Sequence, residues 1–126
     1  EIPNLCPFGA VSFQRLFNTA IANILSNIIQ KPIVVDGDDL LVQDEFVGTD
    51  ENIRNSGKVS VSITYSKDNI AVGHTGINIL AGDKAPAFAY SSNLTKETSD
   101  EFMRAVIDYF NNEVQDQFTA TTKVIV

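Results

Sequence analysis

The chain has 126 residues, a formal charge of −7, 44% hydrophobic and 20% charged residues, and a single cysteine. That length predicts one domain, 1–126, large enough to bury a core without covalent staples. The acid excess argues against nucleic acid, which needs a Lys- and Arg-rich surface. Cys6 alone cannot build a disulfide framework and favours a reducing, intracellular setting, and no apolar run is long and unbroken enough to span a bilayer.

Residues 1–11 carry Pro3, Cys6, Pro7 and Gly9, a spacing that predicts an extended N-terminal arm. Cys6 has no activating base near it in sequence and reads as an idle thiol. From Ser12, a candidate N-cap, to Gln30 the apolar residues Phe13, Leu16, Phe17, Ile21, Ile24, Leu25, Ile28 and Ile29 recur with the period of one helical face. The other face, with Gln14, Asn18, Asn23 and Asn27, is polar yet uncharged. Lys31-Pro32 ends this helix, because the residue before a proline is pushed out of helical backbone.

Pro32 to Asp36 and Asp39 to Val47 read as two antiparallel strands around Gly37. Between Asp36 and Glu51 stand seven acids, Asp36, Asp38, Asp39, Asp44, Glu45, Asp50 and Glu51, and no base. As a calcium loop starting at Asp36, it would put Leu40 and Leu41 at the fifth and sixth positions and Val47 at the twelfth. A hard cation finds no ligand set there, so neither metal nor cofactor is assigned.

Thr49 to Gly57 reads as a loop. Lys58 to Ser66 alternates cleanly, which predicts Val59, Val61, Ile63 and Tyr65 facing the core and Ser60, Ser62 and Thr64 facing out. Lys67-Asp68-Asn69 closes a hairpin into Ile70 to Leu80, a strand weakened by Gly73 and Gly76. His74 reads as a surface histidine, and Ala85 to Tyr90 as a short edge strand. Thr98 and Glu101 form a capping box ahead of a second amphipathic helix that runs to about Gln117, with Phe102, Met103, Val106, Ile107, Phe110, Val114 and Phe118 at helical spacing and a charged outer face. The β-branched residues of Thr121 to Val126 predict a last strand. This order predicts an α+β domain: a mainly antiparallel sheet of about five to six strands with two long helices on one face.

Within the second helix, Asp108-Tyr109-Phe110-Asn111 resembles the Glu-x-x-Asn signature of the CheC and CheX chemotaxis phosphatases. The resemblance implies phospho-aspartate hydrolysis, with Asn111 positioning water and Asp108 contacting the partner. The match covers one helix, with Asp in place of Glu, Arg104 where that family has Ser or an acid, and no second copy of the motif.

The uncharged faces point elsewhere, since interfaces are depleted in charge. Gln14, Asn18, Asn23 and Asn27 on the first helix, with Ser60, Ser62 and Thr64 on the central strand, are the candidate contacts of a non-enzymatic interaction or assembly module. The partner expected is protein, above all a second copy in a homo-oligomer or a larger structure such as a virion or tail-like assembly. Two further readings are a small-ligand pocket lined by Phe17, Tyr65 and Phe88, and an acidic inhibitor built on Asp36 to Glu51.

Overall fold

The computed structural model describes residues 1–3, 5–44, 56–80, 82 and 88–124. Its elements are β1 (Ile2–Pro3), α1 (Pro7–Ile29), β2 (Ile33–Asp36), β3 (Asp39–Gln43), β4 (Ser56–Lys58), β5 (Ser60–Lys67), β6 (Ile70–Ile77) and α2 (Lys96–Thr121). They form two antiparallel three-stranded sheets, β1-β6-β5 and β2-β3-β4, instead of the single sheet expected. The fold is α+β. Among the described residues no helix is long and apolar enough to cross a membrane.

The N-terminal arm is shorter than its prolines suggested. Ile2 and Pro3 pair with Ala71 and Ile70 of β6, and α1 begins at Pro7, because the first helical position needs no N–H and suits the fixed proline φ. Its N-cap is Cys6, whose Sγ accepts the Gly9 N–H at 3.3 Å. Ser12 lies inside the helix, where its hydroxyl donates to the Phe8 carbonyl. Gln30 closes α1 in left-handed backbone at φ 58°, its N–H returning to the Ser26 carbonyl.

The β2–β3 hairpin turns at Gly37, whose φ of 59° is cheap only for glycine. The β5–β6 hairpin turns at Asp68-Asn69, with φ of 52° and 62°, the double positive φ that matches strand twist. Gly73 and Gly76 do not interrupt β6, which pairs with β5 from Ile70 to Ile77.

Strand β3 ends at Gln43, and the rest of the predicted strand to Val47 lies largely outside the described residues. So does most of the predicted loop 49–57, whose last residues form β4. Of the predicted strand Ala85 to Tyr90, the described part makes an isolated parallel bridge, Lys58 with Ala89, closed by Lys58 N to Phe88 O and Tyr90 N to Lys58 O, both 2.8 Å.

Residues 56–67 change partners midway, and Val59 is the joint. Before it, β4 pairs with β3; after it, β5 pairs with β6. The Val59 N–H donates to the Leu40 carbonyl at 3.0 Å, and the Leu40 N–H is received by the Ser60 hydroxyl at 3.0 Å. Val59 and Ser60 are therefore both buried, and the inward phase slips by one residue. Such a slip moves every later side chain to the opposite face. The sequence expectation for this strand is thereby reversed: Ser62 and Thr64 face the helices, while Val61, Ile63 and Tyr65 face out.

The main core lies under the second half of α1, where Ile21, Ala22 and Leu25 meet Leu40, Val42, Val59 and Phe102. A smaller cluster joins Ile2, Ala10 and Ala71, flanked by Phe13, Phe110 and Val114. Helix α2 packs along α1 through stacked and edge-on rings; Phe110 lies 5.9 Å from Phe13 and 5.5 Å from Phe17. Its N-cap is Thr95, in a reciprocal box with Thr98, and Glu101 takes no part. At the other end the helix runs on to Thr121, where a strand was expected. The Thr121 hydroxyl donates to the Gln117 carbonyl at 2.8 Å and that of Thr122 to the Thr119 carbonyl at 2.7 Å, adding side-chain donors to the backbone N–H groups of the last turn. Residues 125–126 lie outside the described residues.

Candidate functional site

The slip at Val59 leaves small and hydroxylated residues on the inner face of the β5–β6 hairpin. Ser62 and Thr64 of β5 and Ala71, Gly73 and Thr75 of β6 line a cavity of about 250 Å³ that α1 and α2 roof with Phe13, Phe17, Phe102, Val106 and Phe110. At roughly 24 cal/mol per Å³, a closed dry void of that size would cost about 6 kcal/mol, but this cavity is partly open to solvent. Exposed Glu1 and Met103 lie at its rim.

The floor is polar and ordered. The Gln14 side-chain N–H donates to Ser62 Oγ at 2.8 Å, and Ser62 Oγ lies 3.3 Å from Thr75 Oγ1. Thr64 donates to the Val72 carbonyl at 3.1 Å. Of the expected pocket residues, Phe17 lines the cavity, while Tyr65 and Phe88 are exposed and do not.

The polar outer face expected for α1 is corrected in the same way. Gln14 is buried over the cavity, and Asn18 is fully enclosed beside the β2–β3 turn, where its Nδ2 reaches the Asp38 carbonyl only at 3.4 Å and its Oδ1 has no hydrogen-bond partner. Ser60 is spent on Leu40. Asn23 and Asn27 remain exposed. The periodic pattern missed the inward pair because a polar side chain on the core stripe looks like an outer-face residue unless its partner across the fold is known.

The outer face of the hairpin is the second feature. Val61, Ile63 and Tyr65 are 54%, 59% and 49% exposed, next to Gly76, His74 and Val72 of β6. No Lys, Arg, Asp or Glu stands among these six residues. Such a patch suits contact with another apolar surface.

Of the acidic run, Asp38, Asp39 and Asp44 are ion-paired, and Glu45, Asp50 and Glu51 lie outside the described residues. Arg15 reaches Asp38 at 3.5 Å, Lys58 reaches Asp39 at 2.9 Å and Lys31 reaches Asp44 at 3.7 Å. Asp44, its side chain 10% exposed, also accepts the Tyr90 hydroxyl at 2.9 Å. Burial first, then that hydrogen bond and the Asp44 charge, push the Tyr90 phenol up to about 12. Among the described residues no three His, Cys, Asp or Glu side chains gather as a metal site. Asp108 and Asn111 are exposed on α2, one turn apart, and neither lines the cavity. No protein-family model, curated protein or solved structure matches the chain.

Proposed function

We propose that the chain is a non-enzymatic interaction module that associates with a second copy by packing the outer faces of two β5–β6 hairpins together. The observation that carries this reading is the row Val61, Ile63 and Tyr65, each about half exposed on one sheet face, where the charge that β5 adds is Lys67 at the turn end of the row. Packing about a two-fold axis is self-complementary, so one apolar row supplies both sides. No acid stands among Val61, Ile63, Tyr65 and their β6 neighbours, and Lys67 lies beyond them at the turn, which matters for two chains that each carry −7, because acid–acid repulsion is absent at the centre of the contact.

Six such side chains, each already half buried, contribute roughly 5–9 kcal/mol on full burial, enough to offset the lower estimates of the entropy lost on association. Light scattering from about 1 µM to 1 mM tests this: the mass doubles for the parent chain, and Ile63→Lys stays monomeric with an unchanged melting temperature. A parent chain that is still monomeric at the top of that range removes the proposal.

A further inference from the structure

We infer that the cavity between the two helices and the inner face of the β5–β6 hairpin binds a neutral, mainly apolar small molecule with one hydroxyl or carbonyl end. This inference is independent of self-association, which uses the opposite face of the same hairpin.

Size comes first. A dry apolar cavity of about 150 Å³ accepts benzene, so about 250 Å³ takes on the order of ten non-hydrogen atoms. The space exists because Ala71, Gly73 and Thr75 follow one another on the inner side of β6, where strand interiors ordinarily carry branched or aromatic side chains. A Cβ placed on Gly73 would meet Thr64 Oγ1 at 3.7 Å and the Ile63 carbonyl at 3.9 Å, ordinary contact distances. Steric crowding therefore does not require a glycine here, and its effect is to keep the cavity open.

The floor sets the polarity of the ligand. Ser62 and Thr75 have two hydroxyl protons between them, and their mutual contact uses one, whichever donates. Gln14 occupies one Ser62 lone pair as a donor, so one hydroxyl proton is left for an acceptor in the cavity. The Gln14 Oε1 receives no donor among the described residues and can accept one. A ligand hydroxyl satisfies both, and a carbonyl satisfies the first.

Charge is disfavoured at both ends. Among the described residues no Lys, Arg or His side chain lines the space, and the ionisable side chain that does, Glu1, is exposed at the rim. An ion carried in among Phe13, Phe17, Phe102 and Phe110 would lose its hydration without a counter-charge.

The test is calorimetric titration of the full chain with 4-propylphenol, propylbenzene and 4-propylbenzoate, with amide shift mapping by NMR. The phenol binds tightest, the benzoate about tenfold or more weaker, and shifts centre on Ser62, Thr75 and Phe110. Gly73→Leu fills the cavity, abolishes binding of all three and keeps or raises the melting temperature. The inference is overturned if neither neutral compound binds at about 1 mM, if the benzoate binds best, if the shifts centre elsewhere, or if Gly73→Leu folds and still binds.

Discussion

Ser60→Ala is the sharpest probe of the joint at Val59. Ser60 is 1% exposed and its hydroxyl is the acceptor for the N–H of Leu40, itself fully buried. Alanine removes that acceptor and leaves a buried amide without a partner, a loss of about 1–3 kcal/mol. For a chain of 126 residues each kcal/mol moves the melting temperature by about 3–5 °C, so about 2 kcal/mol appears as a drop of roughly 6–10 °C. Urea melts give the free energy, and hydrogen exchange at the Leu40 amide locates it, since this N–H should lose protection more than its neighbours in β3. Ser12→Ala is the control: it removes an exposed hydroxyl that donates to the Phe8 carbonyl, leaves no buried donor unpaired, and costs less than about 1 kcal/mol. A Ser60→Ala variant that melts within about 2 °C of the parent, with Leu40 protection intact, would refute the claim that this hydroxyl holds the strand's phase.

Two other outcomes follow from buried polar groups. Asn18→Leu removes an unpartnered Oδ1 and a long 3.4 Å bond, so it raises stability by about 1 kcal/mol in a chemical melt; an equal loss would mean that the amide has a partner after all. Tyr90 is a pH probe. Its phenol, raised from 10 to about 12 in the folded chain, holds its proton more tightly than the unfolded chain does, so its contribution is complete below pH 10 and is lost as pH climbs through about 12. Tyr109, raised by burial and then by the Glu113 charge, acts in the same direction but is common to the parent and Tyr90→Phe. The difference between those two in thermal melts should therefore shrink across that window, and a constant difference would argue against the Asp44 contact.

Much of the architecture was legible in the residues. The stripe of α1 around Ile21 and Leu25 is core, α2 does begin beside Thr98 and bury Phe102, and the strands flanking Gly37 and Asp68-Asn69 pair as hairpins. These features are local: periodicity, capping hydroxyls and turn residues act within a few positions of one another. Helix boundaries were less legible, because Pro7 and the threonines at 121 and 122 serve equally as breakers or as end groups, and the packing chose the second use.

The candidate site was not legible in the sequence. Alternation from Lys58 to Ser66 fixes that Val61, Ile63 and Tyr65 share a face and that Ser62 and Thr64 share the other, but not which face meets the helices. That choice was made some twenty residues away in the chain, where the Leu40 N–H takes the Ser60 hydroxyl and Val59 drops into the core below Leu25. One tertiary hydrogen bond thus turns a hydroxyl row inward to floor a cavity and an apolar row outward to the surface. Periodicity is a property of neighbours along the chain, whereas phase is set by whichever distant backbone group must be satisfied.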